Sequence, residues 1–136
     1  MRNLFNTRVT DTAFGIAMLV LRLAGGLAMM IEHGLFKLKN FAEFADNFAN
    51  PFGLGPTMSL ALVVFAEFFC AMFVVLGLMT RLACIPIIIT MLVVIIDRNN
   101  GQLLGDSKLP TLFLAIFTAI LIAGPGKLSM DRLVGK

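Results

Sequence analysis

Long apolar stretches separated by short polar segments dominate the pattern of hydrophobic and polar positions along this chain. A helix needs about 20 apolar residues to cross the hydrocarbon core of a bilayer, because it rises only about 1.5 Å per residue. Four stretches approach or exceed this length once the polar residues at their ends are included. We therefore predict four transmembrane helices, at about residues 12–36, 57–79, 82–99 and 107–124.

The segment between the first two predicted spans has the pattern of a short amphipathic helix. Phe41, Phe44 and Phe48 recur at helical spacing, with polar residues on the opposite face. We predict a helix over about residues 40–50 that lies in the membrane interface. Two interpretations stay open: an anchor that covers the apolar ends of the spans, or a lid over a cavity reached from the lipid.

The composition supports a membrane location and excludes other classes of protein. Hydrophobic residues make up 59% of the 136 residues and charged residues only 14%, with a mean hydropathy of +0.94. A soluble domain this short has too little interior to bury such an excess, and a disordered chain is far more polar. We expect an all-α membrane protein: a four-helix transmembrane bundle forming a single domain over residues 1–136, with the interfacial helix between the first two spans.

Neither the net charge of +3 nor the two cysteines indicates a further kind of site. The basic residues lie at the ends of apolar stretches rather than in a patch with interleaved aromatics, so nucleic-acid binding is not expected. Cys70 and Cys84 lie inside apolar stretches, without the spacing of a zinc site or a disulfide framework. We also expect no metal site around the single histidine, because Glu32 and His33 point in different directions on a helix.

The cationic residues at the ends of the spans predict the orientation of the chain. Four spans place both termini on the same side of the membrane as the turn at Thr80–Arg81. That side carries six Lys and Arg residues against four, so by the positive-inside rule we expect both termini in the cytoplasm. The residues are Arg2, Arg8, Arg81, Lys127, Arg132 and Lys136 on the terminal side, and Lys37, Lys39, Arg98 and Lys108 on the other.

Lipid provides no hydrophobic drive for helix association, so helices in a bilayer associate through close packing of their backbones. Small residues permit this close approach and therefore indicate where it occurs. Gly25 and Gly26 narrow the first span, and alanine recurs at every fourth position from Ala115 to Ala123 on the last. We expect both sets to face neighbouring helices.

Two charged residues inside the apolar stretches, Arg22 and Glu67, are the strongest candidates for function. A charge near the middle of a bilayer costs a few kcal/mol or more. Counted from the cytoplasmic side, Arg22 lies about 15 Å deep and Glu67 about 18 Å deep. Because the first two helices run antiparallel, we predict that the two side chains meet as an Arg–carboxylate pair.

Three further polar residues extend this pair towards the other side of the membrane. His33 lies on the same helical stripe as Arg22, Lys37 follows one turn later, and Asp97 ends the third span. Together with Arg22 and Glu67 they would line an apolar cavity with a few convergent polar groups, the usual form of a small-ligand site. The alternative is that the buried pair only fixes the register of two helices.

Three stretches of the sequence form a recognisable combination. They are LRL at residues 21–23 with HGLFKL at 33–38, Glu67 with LGLMTRLA at 76–83, and GPGKLSMD at 124–131. In this order they resemble the DoxX family of small bacterial membrane proteins. The resemblance implies a four-helix protein of the bacterial inner membrane with both termini in the cytoplasm, which agrees with the charge count.

The resemblance also implies a link to redox systems. The family is named after a subunit of a thiosulfate:quinone oxidoreductase, and in some bacteria it is linked to membrane-associated thiol and oxidative-stress systems. Arg22, His33, Lys37 and Glu67 match its polar pattern. This chain departs from a thiol oxidoreductase in having no exposed cysteine pair, so thiol exchange would require a partner protein.

Our first hypothesis is a membrane protein that binds a quinone or a lipid-like ligand, at most as one subunit of an oxidoreductase, with no covalent cofactor. Arg22 and His33 would hydrogen-bond the quinone carbonyls, and Glu67 would orient Arg22 or relay a proton. The alternative is a non-enzymatic membrane scaffold or assembly partner in which the Arg22–Glu67 pair is structural. Both hypotheses leave room for a protein partner or a second copy of the chain, beside the membrane lipid.

Overall fold

A computed structural model describes residues 2–135 of the chain, without the side chains of Arg2, Asn3 and Asn99. Of the cationic residues counted for orientation, Lys136 and the side chain of Arg2 therefore lie outside the described part.

All regular secondary structure in residues 2–135 is helical, which confirms the predicted fold class. Four of the helices are long and apolar enough to cross a membrane. In chain order the helices are α1 (Asp11–Lys39), α2 (Phe41–Ala45), α3 (Pro56–Leu76), α4 (Thr80–Asn99), α5 (Lys108–Ala123) and α6 (Met130–Val134), with 3-10 turns at Arg2–Phe5 and Gly105–Ser107.

Local chemistry explains where the long helices begin and end. The hydroxyl of Thr10 accepts a hydrogen bond from the backbone N–H of Ala13 at 3.1 Å and so caps the start of α1. α3 ends at Leu76 and is capped by Gly77, whose φ of +72° is a left-handed conformation that glycine adopts without strain. Because this turn is short, α3 and α4 are antiparallel neighbours.

Two of the long helices contain a π-helical segment, Met29–Leu35 in α1 and Phe65–Cys70 in α3. The two segments pack against each other in the middle of the bundle. Hydrophobic periodicity does not predict such segments, which are rare and frequently occur at functional sites.

The predicted interfacial helix is present but shorter than expected. α2 ends several residues before the predicted limit of the segment 40–50, and the chain continues as a loop towards α3. The ring of Phe44 packs against that of Phe36 at the end of α1, with centroids 5.8 Å apart. Phe48 has left the helix and lies over the groove between α3 and α4.

The apolar core lies between the four long helices, and one of the two predicted close contacts is correct. Gly25 and Gly26 are buried, facing α5 and α3 respectively. In contrast, Ala115 and Ala119 are exposed on the outer surface of α5. The prediction is wrong for these two residues because α5 turns its larger residues inward, with Phe117 fully buried, whereas Ala123 is partly buried against the core.

After α5 the chain folds back onto the turn between α3 and α4. The carboxylate of Asp131 accepts hydrogen bonds from the backbone N–H groups of Met79 at 2.6 Å and Thr80 at 2.9 Å, so it caps the first turn of α4. In return, the N–H of Asp131 donates to the carbonyl of Gly77 at 2.7 Å. The second and third stretches of the family resemblance are thus in direct contact.

The start of α1 lies at the same end of the bundle as this C-terminal segment. The ammonium of Lys127 is 3.7 Å from the carboxylate of Asp11. Both ends of the described chain therefore lie on one side of the spanning region, as four spans require.

The capping carboxylate makes stability depend on pH. Partial burial raises the pKa of Asp131, but the hydrogen bonds from Thr80 and Met79 and the charge of Arg22 outweigh it and hold this pKa below its usual value. A lowered pKa in the folded state stabilises the protein above the unfolded value of about 3.9, and this stabilisation is lost as the pH falls through the folded value. We expect Asp131→Asn to lower the free energy of unfolding by about 1 kcal/mol at neutral pH.

The measurement is unfolding in one detergent between about pH 3 and 7. The matched control is Asp11→Asn, because Asp11 is highly exposed and its pair with Lys127 is a surface contact of little energy. Equal losses of stability in the two variants would contradict the capping role.

Candidate functional site

A cavity of about 380 Å³ lies between α3 and α4, beside the end of α1. Its size falls within the range of about 300–1,000 Å³ that is usual for small-ligand sites. Most of its lining is apolar and comes from α3, from α4 and from the loop that precedes α3. Examples are Leu62 and Phe65 of α3, Val93 and Val94 of α4, and Phe48 and Phe52 before α3.

The cavity opens sideways, on the surface that the bundle presents to lipid. Leu62, Phe65 and Ile89 line it and are each about half exposed. Because these residues lie on the outer face of two spanning helices, an apolar molecule would enter the cavity from the lipid phase.

An ion pair closes the inner end of the cavity. The ammonium of Lys37 lies 2.5 Å from Oε2 of Glu67, and both residues line the cavity. The Glu67 side chain is 3% exposed and that of Lys37 is 23% exposed. A charge-assisted hydrogen bond of this kind compensates two charges that would each be costly alone in an apolar environment.

Gly34 allows α1 and α3 to approach closely enough for this pair to form. A Cβ atom at position 34 would lie 2.6 Å from the carbonyl carbon and oxygen of Glu67, far inside van der Waals contact. The two residues belong to the two π-helical segments. Lys37, about one turn further along α1, is thereby placed beside Glu67.

His33 lies next to the ion pair but faces α5. Its ring packs edge-to-face against Phe113, with centroids 5.4 Å apart and an interplanar angle of 89°. His33 is half-buried, and it is not among the described residues that line the cavity. The structure therefore places His33 behind the cavity rather than in it.

The outer end of the cavity carries the remaining charges. Asp97 and Arg98, near the end of α4, both line the cavity and are exposed. Of the five predicted site residues, the structure thus brings three together around one cavity: Lys37, Glu67 and Asp97.

Arg22 is not part of this site, and the predicted Arg22–Glu67 pair is wrong. The Arg22 guanidinium, in a residue only 1% exposed, donates to the carbonyls of Val74 at 3.4 Å, Val75 at 3.3 Å and Leu128. The first two carbonyls belong to the last turn of α3, where helical partners run out, although that of Val74 also accepts from the N–H of Gly77 at 3.1 Å. Arg22 therefore caps the C-terminal end of α3 and holds the C-terminal segment against it.

The prediction failed because it assumed that α1 begins at the level in the membrane where α3 ends. Gly26 faces Val75 and Gly34 faces Glu67, so Arg22 lies level with the C-terminal end of α3. The N-terminal part of α1, before Arg22, extends well beyond that end. The distance along α1 from Arg22 to Gly34 is about 18 Å. The C-terminal segment occupies the space beside the overhanging part of α1, which nothing in the pattern of spans indicates.

Sequence reasoning missed three polar residues that line the cavity: Ser59, Thr90 and Arg98. Isolated Ser and Thr residues are common in transmembrane helices, so their presence alone carried little signal. The Thr90 hydroxyl donates to the carbonyl of Pro86 at 2.8 Å. Among the described side chains, no group of three or more His, Cys, Asp and Glu residues is placed to hold a metal ion.

The chain is similar to known proteins over most of its length. A family model described as DoxX matches residues 17–99. An uncharacterized protein of Haemophilus influenzae is 30% identical over 131 residues, which cover 90% of this chain and 85% of the relative. No solved structure matches the chain. The family match includes α3 and α4, which form most of the cavity.

The close approach of α1 and α3 predicts the effect of a single methyl group. We expect Gly34→Ala to lower the free energy of unfolding by about 1–3 kcal/mol, because its Cβ would collide with backbone rather than with a movable side chain. The control is Gly15→Ala, whose Cβ would lie at an ordinary 3.4 Å from Cβ of Lys127. Unfolding in detergent measures both. A Gly34→Ala protein as stable as the wild type would contradict this packing.

The reassigned ion pair predicts which charges are energetically coupled. A double-mutant cycle with Lys37→Met and Glu67→Gln should give a coupling energy of about 1–3 kcal/mol, because each single change leaves a buried charge unpaired. The cycle with Arg22→Gln and Glu67→Gln should be additive within about 0.5 kcal/mol. Unfolding titrations in one detergent provide both cycles, and strong coupling of Arg22 to Glu67 would restore the original prediction.

Proposed function

This chain belongs to the DoxX family of membrane proteins, and on that premise we propose that it binds a quinone- or lipid-like ligand in the cavity between α3 and α4. We further propose that it does so as a subunit of a membrane oxidoreductase system. The observation that carries the proposal is an apolar cavity open to lipid with a buried ion pair at its inner end.

The chemistry of the ion pair suits a ligand that carries a carbonyl oxygen. A lysine ammonium has three donors, and in this structure Glu67 accepts one of them. The others remain for a ligand acceptor, while the carboxylate fixes the position of the ammonium. A carboxylate and an ammonium beside the ligand are also groups that can relay a proton in a membrane protein. Glu67 thus orients Lys37, in place of the Arg22 of the first hypothesis.

The proposed orientation has both termini in the cytoplasm of a bacterial cell, with the chain in the inner membrane. Its support is that both ends of the described part of the chain lie at one end of the bundle, together with Arg81, Lys127 and Arg132. In this orientation the cavity lies in the outer half of the membrane.

A second candidate is a non-enzymatic scaffold or assembly partner. It is favoured by the position of Arg22, which acts on backbone carbonyls and has a structural role. In this candidate the Lys37–Glu67 pair only fixes the register of α1 against α3, and the cavity holds exchangeable lipid chains.

Extraction and mass spectrometry of the quinones and lipids that copurify in mild detergent test the proposal. We expect near-stoichiometric quinone on the wild type and at least about tenfold less on the double variant Lys37→Met/Glu67→Leu, a change of about 1.4 kcal/mol in binding. The double variant removes the pair without leaving an unpaired buried charge.

The matched control is Asp11→Leu/Lys127→Met, which removes the exposed ion pair at the other end of the bundle. It should keep the quinone. No quinone on any sample, or equal quinone on a folded cavity variant, would favour the scaffold.

A further inference from the structure

One side chain in the cavity lacks the partner that it needs. Ser59, on α3, is 7% exposed and lines the cavity, and its hydroxyl has no hydrogen-bond partner in the described part of the chain. A buried hydroxyl left in this way is costly, and a helical serine ordinarily donates to the carbonyl four residues earlier. The other polar side chains that are described in the lining are ion-paired, hydrogen-bonded or exposed: Lys37, Glu67, Thr90, Asp97 and Arg98.

The charges around the cavity cancel. Lys37 and Glu67 neutralise each other at the inner end, and Asp97 and Arg98 lie exposed at the outer end. At the inner end of the described lining, no cation is left over for the carboxylate of a fatty acid or the phosphate of a phospholipid. The inner end of the cavity therefore suits an uncharged head group.

The spacing of the polar groups limits the shape of that ligand. Ser59 and Glu67 are separated by about 12 Å along α3. With one hydrogen bond of about 2.8 Å from the Ser59 hydroxyl and another from the ammonium that Glu67 holds, roughly 6 Å of this rise remains between the two polar atoms of the ligand. Both side chains lean towards the N-terminus of α3, and the longer side chain of Glu67 leans further than that of Ser59, so the gap between their polar atoms is somewhat shorter than the axial rise.

We infer that Ser59 donates the second hydrogen bond to the ligand, and that the ligand is an uncharged ring with acceptor oxygens on opposite sides, as in a para-quinone. One oxygen accepts from the Lys37 ammonium and the other from the Ser59 hydroxyl. The apolar tail leaves past Leu62 and Phe65 into the lipid. This inference rests on the proposed function and adds to it a binding residue and a ligand class.

Isotope-edited infrared spectroscopy tests the inference on the full chain in quinone-free nanodiscs. The probe is decylubiquinone carrying ¹³C at one carbonyl or at the other, so that each carbonyl stretch is read separately. In the wild type, both bands should lie below their positions in plain lipid. In Ser59→Ala, one band should return to the lipid position while the other stays, and affinity should fall about three- to tenfold.

Two variants control this experiment. Ser59→Thr keeps the hydroxyl and should keep both shifted bands. Thr57→Val removes a hydroxyl from the same helix outside the cavity, where it donates to the carbonyl of Ala45 at 3.4 Å, and should also change neither band.

The possible outcomes separate the inference from the proposed function. Saturable binding with the same two bands in Ser59→Ala would overturn the role of Ser59 and leave the proposed function standing. Return of both bands together would also overturn the assignment of one carbonyl to Ser59. No saturable binding to the wild type would overturn the proposed function itself.

A competition experiment tests the charge of the ligand independently. Oleyl alcohol and oleate have the same chain and differ in the charge of the head. We expect the alcohol to displace decylubiquinone at least about tenfold more effectively than oleate, at a pH where oleate is ionised. Equal displacement by oleate would overturn the inference that the ligand is uncharged.

Discussion

The contact between α1 and α3 at Gly34 is the constraint on which the cavity depends. Two helices can place a lysine and a glutamate in contact inside an apolar bundle only if their backbones come close, and here the backbone of Glu67 fills the space that a Cβ at position 34 would need. Both helices are π-helical at this level. The ion pair then neutralises a buried carboxylate and a partly buried ammonium, and both residues line the cavity.

The two charged residues that stand out in the sequence are stabilised in different ways. Glu67 has a side-chain partner, whereas Arg22 is surrounded by backbone carbonyls at the end of α3 and in the C-terminal segment. A guanidinium with five donors suits several carbonyls at once, which a single carboxylate would not use fully. Arg22 and Asp131 thus act at the same end of the bundle, one on the carbonyls of α3 and the other on the N–H groups of α4.

Sequence reasoning predicted the class of the fold and the number of spans, because apolar stretches of bilayer length have few alternatives. It also selected Lys37, Glu67 and Asp97, three of the residues around the cavity. It failed on the pairing of Arg22, because the relative level of two helices depends on small contacts such as Gly34 and on where the C-terminal segment docks. Ser59 was missed because its significance lies in a missing partner, which only three-dimensional placement reveals.

The position of the C-terminal segment determines from which side of the bilayer a molecule can reach the cavity. It occupies the end of the bundle beside the overhanging part of α1, while the cavity extends from Glu67 towards the opposite end. The two leaflets are therefore not equivalent for this protein. A molecule dissolved in the leaflet nearer the loop before α3 meets the opening directly, whereas one in the other leaflet must first cross the midplane. Under the proposed function, occupancy of the cavity would report the composition of a single leaflet, and an asymmetry between leaflets would act directly on the protein.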